Sequence, residues 1–416
     1  MTDITQPPGV VIVGAGQAGS EVATALRQQG FVGSITLLGD EAYLPYRRPP
    51  LSKTFLAGQA TLASLYLKPA DVYARHGIHC RVGVRAHRID AAARQLWLSD
   101  GEVLPYQHLV LATGGRPRPL SVPGADKGNL HYLRTIDDVE RLKSHFVSGA
   151  RLVLIGGGYI GLETAAVAVK AGLRVTVVEA MPRVLARVAA PVLSEFYQSV
   201  HRGHGVEIVT DAAVASLSQT EDGTRVQLAD GRELSADLVI AGIGLVPETA
   251  LAETAGAAVT PAGIVVDTAC RTSIANIYAV GDCTFHENAF YGRHMRVESV
   301  PHATEQARTL AAALCGKPVC YASVPWFWSD QYDLKLQMVG LSEGYDQVVL
   351  RGDPEQASFI AFYLRKGVVI SADAVNRPQD FMVAKRLVAD RVHVMPEQLQ
   401  QQDVPLKTLL QQDAVA

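Results

Sequence analysis

No cysteine occurs before Cys80, and the five present, Cys80, Cys270, Cys283, Cys315 and Cys320, include no C-x-x-C pair. An odd set of thiols without that spacing argues against a disulfide scaffold and for a reduced, cytoplasmic chain. Cys315 and Cys320 flank a Gly-Lys-Pro turn and read as unrelated thiols rather than a redox pair. No apolar run approaches 18 residues without charges or turn residues, so no membrane span is expected. The N-terminal MTDITQPPG has no basic stretch followed by an apolar one, so no secretory leader is expected. Neither sign of charge prevails: 38 Lys and Arg against 41 Asp and Glu leave a net charge of −3. A global attraction to nucleic acid or an anionic bilayer is thereby excluded, and any electrostatic partner must be met by a local patch. The twelve histidines show no H-x-x-x-H spacing, so no metal site is expected.

What is present is a soluble-protein composition, 48% hydrophobic and 19% charged, in 416 residues, enough for roughly three domains. Two stretches nearly repeat each other: VVIVGAGQAGSE from Val10 and LVLIGGGYIGLE from Leu152. In each, a continuous apolar run reads as a buried parallel strand and a helical pattern follows the glycines. Gly14, Gly16 and Gly19 match G-x-G-x-x-G, as do Gly156, Gly158 and Gly161. The first glycine allows the tight turn and the second lets the backbone approach a pyrophosphate. The third lets helix and strand pack, while free N–H groups of the helix N-terminus face the anion. Ala18 in the first copy, and Tyr159 and Ile160 in the second, occupy that first helical turn. An acidic residue closes the next strand of each unit, Asp40 at 26 residues beyond Gly14 and Glu179 at 23 beyond Gly156, where ribose hydroxyls are bound. Glu41 is the alternative to Asp40. One such motif is weak evidence; two in full strand–turn–helix–strand context point to two dinucleotides, most economically a flavin and a nicotinamide.

The rest of the chain repeats this plan. HLVLATGGRPR, with Ala112 and Thr113, and DLVIAGIGLVPE, with Gly244, are closing strands. Each follows a β-rich insert turning at Asp100-Gly101 or Asp230-Gly231. NIYAVGDC places Asp282 at the carboxyl end of a strand, where ligands of such sheets bind.

Together with PPLSK (Pro49 to Lys53), ESVP, EQAR, PWFWSDQY, VGLSEGYD, VNRP and VPLK, these motifs resemble the ferredoxin-reductase branch of the flavoprotein disulfide-reductase superfamily over nearly the whole chain. The resemblance implies an α/β fold like that of glutathione reductase: two Rossmann-like domains and a C-terminal α/β domain. It divides the chain into a discontinuous FAD domain (1–113 and 245–323), an NAD domain (114–244) and a C-terminal domain (324–416). It implies oxidation of NADH by FAD and single-electron delivery to a 2Fe–2S ferredoxin serving a haem monooxygenase. The absence of any cysteine before Cys80 removes the nucleophile that disulfide reductases and related peroxidases carry after the first nucleotide unit. Two alternatives stay open: a reductase for a ring-hydroxylating dioxygenase or rubredoxin, and a flavin-bearing binding protein of the apoptosis-inducing-factor type.

Residue roles follow from the same resemblance. Lys53 lies near flavin N5 and pairs with Glu163, whose bland alternative is an exposed helix position. Asp40 and Asp282 meet FAD hydroxyls, Ala86 meets adenine, Arg134 reaches FAD from the domain crossover, and Val300 approaches the flavin pyrimidine. Trp328 lies beside the flavin, whereas Trp326 reads as core. Glu179, where the 2′-phosphate of NADPH would sit, implies a preference for NADH. Arg308, Lys385 and Lys407 are the candidate ferredoxin contacts, although Gln337 stands where the family leads one to expect lysine.

Overall fold

The computed structural model describes residues 9–127 and 130–415, with side chains through 410 at the C-terminal end; the segment searched above for a leader lies almost wholly outside them. The chain forms two compact units. The first comprises the chain through Arg47, Leu62–Arg116 and Leu245–Pro325; the second comprises Arg48–Thr61, Pro117–Gly244 and the chain from Trp326 onward.

Unit 1 is built on a five-stranded sheet in the order Ile277–Ala279, His108–Leu111, Val10–Val13, Ile35–Leu38 and Ile78–Arg81, with every neighbouring pair parallel. Val10–Val13 is buried along its whole length, as expected of a strand covered on both faces. Helix Gln17–Gln28 packs on it through Val22, Ala23 and Leu26, each fully buried. Helix Val300–Leu314 completes this layer through Ala303, Ala307 and Leu310. On the other face Val11, Val13, Leu109 and Leu111 pack with Leu96 and Leu98 of the meander Ala86–Asp90, Gln95–Leu98 and Val103–Pro105.

Unit 2 repeats the arrangement in a sheet ordered Glu207–Val209, Arg174–Val178, Arg151–Ile155, Leu238–Ala241 and Leu130–His131, again all parallel. Helix Tyr159–Lys170 follows its central strand, and the meander Val214–Thr220, Gly223–Leu228 and Glu233–Ala236 closes one face. Both meanders turn at the Asp-Gly pairs read from the sequence.

The same unit contains the C-terminal sheet, which is antiparallel: Trp326–Gln331, Leu334–Gly340, Val368–Val375, Ser358–Arg365 and Gln347–Asp353 in spatial order. Helix Pro378–Ala389 packs against it, burying Phe381, Ala384, Leu387 and Val388. Among the described residues no helix is long and apolar enough to cross a membrane. All five cysteines are free, Cys270 and Cys283 being fully buried.

Candidate functional site

The two glycine turns have the same local geometry, one in each unit. Gly14 and Gly156 adopt positive φ of 113° and 107°, which side-chain-bearing residues rarely hold. A Cβ on Gly19 would lie 2.0 Å from the Gly14 carbonyl oxygen, and one on Gly161 would lie 2.2 Å from that of Gly156, so both helices touch their turns through bare backbone. A Cβ on Gly16 or Gly158 would meet nothing within 4 Å. These two residues are the N-caps of their helices, and neither helix is capped by a side chain. Each turn therefore offers open space in front of a helix N-terminus. That geometry suits the pyrophosphate of a dinucleotide, and the fit is the same twice.

Around the first turn, Ala112 closes the neighbouring strand; its N–H donates to the Val13 carbonyl at 2.7 Å. The Thr113 hydroxyl donates to the Glu248 carbonyl at 2.7 Å. Ala18, 7% exposed, packs so closely that a Cβ on Gly281 would stand 3.0 Å from its methyl group. Asp282 is thereby presented, half-buried, next to the first helical turn. Asp40 is exposed and Glu41 half-buried, with a Glu41 carboxylate oxygen accepting from the Tyr46 hydroxyl at 2.5 Å. Ala86 opens the first meander strand opposite Leu98. Val300 is the first residue of its helix, whose cap Ser299 accepts from the His302 N–H at 3.2 Å.

Around the second turn, Glu179 supports the backbone directly. One carboxylate oxygen accepts from the Gly157 N–H at 2.7 Å and the other from the Met181 N–H at 2.9 Å. The Tyr159 ring packs against that of Phe327 at a tilt of 41° with centroids 5.0 Å apart, and its hydroxyl lies 2.8 Å from the Met338 sulfur. Burial raises its pKa well above the ordinary range, so it remains a neutral phenol. Ile160 is 42% exposed. Gly244 has φ of 108°, and its carbonyl accepts from the Arg118 N–H at 2.9 Å. The Arg134 carbonyl accepts from Arg48 at 2.7 Å, while its N–H donates to Asp138 at 3.0 Å.

Lys53 and Glu163 meet in unit 2. The short helix Pro49–Ser52 ends on Lys53, whose ammonium lies 2.6 Å from a Glu163 carboxylate oxygen, with side-chain exposures of 16% and 3%. Glu163 is thus a buried residue of helix Tyr159–Lys170, not an exposed one. Ser52 donates to the same oxygen at 2.5 Å, and Ser329 to the other at 2.6 Å. Both serines lie inside motifs read from the sequence, yet neither stood out there. The available clue was alternation: on strand Trp326–Gln331, Ser329 and Gln331 share one face, and both are buried.

Trp328 is half-buried opposite Gln337, with its ring 5.7 Å from that of Trp326. Trp326 departs from the core reading. It is only half-buried, because it lies at the start of an outer strand, and the Lys385 ammonium lies 4.4 Å above its ring. Arg308 is 62% exposed and pairs with Glu21 at 2.7 Å; Lys407 is exposed. Among the described residues no cluster of His, Cys, Asp or Glu could hold a metal ion.

Comparison with known proteins matches this geometry. Residues 8–307 match the pyridine nucleotide-disulphide oxidoreductase family, and residues 326–410 match the reductase C-terminal family. The chain is 48% identical over 407 residues to putidaredoxin reductase CamA of Pseudomonas putida, covering 96% of each. It is 44% identical over 399 residues to rhodocoxin reductase of Rhodococcus erythropolis, covering 96% of this chain and 93% of the relative. A solved covalent putidaredoxin reductase–putidaredoxin complex matches with a TM-score of 0.95 and 47% identity, covering 99% of this chain and all of that one.

Proposed function

The chain belongs to the pyridine nucleotide-disulphide oxidoreductase family, and from that premise we propose that it is an NADH-dependent, FAD-containing ferredoxin reductase supplying a haem monooxygenase. The observation that carries this reading is the pair of matched glycine turns, each with open space before an uncapped helix N-terminus. The high identity to reductases named for their redoxin partners supports a small iron–sulfur protein, of the 2Fe–2S type, as the electron acceptor. We divide the chain functionally into an FAD domain (1–113 and 245–323), an NAD domain (114–244) and a C-terminal domain (324–416). A cytoplasmic setting suits five free thiols.

In this assignment Gly14, Gly16, Ala18 and Gly19 hold the FAD pyrophosphate. Asp282 and either Asp40 or Glu41 take its hydroxyls, and Ala86, Ala112, Thr113, Arg134 and Val300 contribute further contacts. Gly156, Gly158, Tyr159, Ile160, Gly161, Glu179 and Gly244 hold NADH. Bound flavin supplies the chemistry, accepting a hydride from the nicotinamide and releasing electrons singly. Lys53 contributes a cation against negative charge on that group, Glu163 orients Lys53, and Trp328 borders the same place. The test is anaerobic mixing with NADH followed by an added 2Fe–2S ferredoxin. The flavin absorbance should bleach and then recover as the ferredoxin is reduced. A flavin that bleaches but passes nothing to any ferredoxin would remove the partner from this reading.

A further inference from the structure

The Lys53–Glu163 pair is the inner end of a longer hydrogen-bonded chain within unit 2. Outward from the carboxylate, Ser329 Oγ lies 2.6 Å from Glu163 Oε1, and Gln331 Nε2 lies 3.2 Å from Ser329 Oγ. His201 Nε2 lies 2.8 Å from Gln331 Oε1, and the Tyr332 hydroxyl lies 3.0 Å from His201 Nδ1. Glu163, Ser329, Gln331 and His201 are all at most 3% exposed, so water does not compete for these groups.

The donors in this chain are fixed by elimination. A carboxylate only accepts, so the Ser329 hydroxyl proton points at Glu163. The Ser329 oxygen must then accept from the Gln331 amide nitrogen. That turns the Gln331 carbonyl toward His201, whose Nε2 must carry the hydrogen. Nδ1 is left with its lone pair and accepts from Tyr332. Every donor therefore points the same way, from half-buried Tyr332 to Glu163 inside. Aligned bonds of this kind polarise one another and strengthen the last one.

Two further observations agree. Burial lowers the His201 pKa to about 4, partly opposed by the Gln331 hydrogen bond, so the ring is the neutral single-donor species that the chain requires. Tyr332 holds a φ of 58°, a strained conformation for a bulky residue, at the two-residue turn between strands Trp326–Gln331 and Leu334–Gly340. Its ring stacks on His204 with centroids 3.8 Å apart and lies 5.7 Å from the Lys170 ammonium. Strain held in place by contacts on both sides marks a residue whose position is imposed.

We propose that His201 is a positioning residue: in its neutral Nε2–H form it directs a one-way donor chain, from Tyr332 through His201, Gln331 and Ser329, that orients the Glu163 carboxylate for Lys53. Its bearing on flavin reduction rests on the function proposed above; the chain itself does not. The first test is two-bond proton–nitrogen NMR of the flavin-loaded protein with labelled histidine. His201 should show the Nε2–H pattern at pH 7, and Glu163→Gln should shift its ring nitrogens. An Nδ1–H ring, or shifts indifferent to Glu163→Gln, would overturn the chain whether or not the protein reduces any ferredoxin. The second test is stopped-flow reduction of the flavin by NADH. His201→Leu should slow it about three- to tenfold, the worth of one orienting hydrogen bond. His201→Gln, which keeps an N–H near the Nε2 position, should restore most of the rate, and adding His201→Leu to Lys53→Met should cost nothing more. Wild-type speed in a folded His201→Leu, or additive losses in the double variant, would overturn the positioning role while leaving the ferredoxin-reductase reading intact.

Discussion

Asp373 shows how much a single side chain can set against the fold. It sits fully enclosed on strand Val368–Val375, between Met338 and Ala361, and accepts one hydrogen bond from the Tyr363 hydroxyl at 2.6 Å. Burial pushes its pKa up to about 7. An acid raised in the folded state stabilises fully below its unfolded pKa near 3.8, and that contribution is lost as pH rises through 7. Asp373→Asn keeps the acceptor for Tyr363 without the charge. It should therefore raise stability on the order of 3 kcal/mol at pH 8 and change little at pH 4, a difference calorimetric melting can read. Nothing in the sequence near Asp373 signals this, because burial is a property of the assembled sheet. The same holds for Ser52, Ser329, Gln331 and His201. Their positions were readable, but which polar atom each would face depends on strand register and helix packing. Lys53 and Glu163 were legible only because PPLSK and the second glycine motif form part of a resemblance.

The glycine turns, by contrast, are legible as elements, since their chemistry is local: turn, approach and packing each demand a missing side chain within six residues. The acid that follows each turn was legible in place and less so in role. Glu179 holds the Gly157 N–H and so is tied to the turn itself. In the proposed NADH assignment the 2′-phosphate of NADPH would approach this carboxylate, and a like-charge pair at about 4 Å costs roughly 1 kcal/mol in water and about 4 at an effective dielectric of 20. NADH should accordingly be used with a clearly higher kcat/KM than NADPH, and equal values would detach Glu179 from the ribose. The aromatic strand Trp326–Gln331 was misread at Trp326, because an aromatic cluster alone does not reveal that its strand lies at an outer edge of the sheet.

At the scale of the whole molecule, three buried histidines govern acid stability. Burial lowers His201 and His302 to about 4 and His286 to about 3, all from 6.5. Unfolded, each takes up a proton near pH 6.5; folded, none does until far lower. The histidine contribution is therefore complete above pH 6.5 and drains as pH falls toward 4, outweighing over that range the opposite slope from Asp373. Melting temperature should drop steeply between pH 6.5 and 4.5. Charge on the outside acts on encounter rather than on folding. Arg308 is exposed but already paired with Glu21, so its reach beyond a Debye length of about 8 Å at physiological salt is small. Arg308→Glu should slow ferredoxin reduction at low ionic strength, have little effect at high, and leave flavin reduction by NADH unchanged. A rate without salt dependence in either form would exclude electrostatic docking at this residue.

The polar cluster on Glu163 also has a consequence for synthesis. Its hydrogen bonds reach 111 residues back to Ser52 and 166 residues forward to Ser329. A ribosome adding about 5–20 residues each second leaves many seconds between the emergence of Ser52 and that of Ser329. During that interval Glu163 has only Ser52 and Lys53 to meet, and the strand that will bury it has not been made. The nascent chain can fold its first glycine turn early, but it cannot seal this cluster until nearly four-fifths of it has been translated.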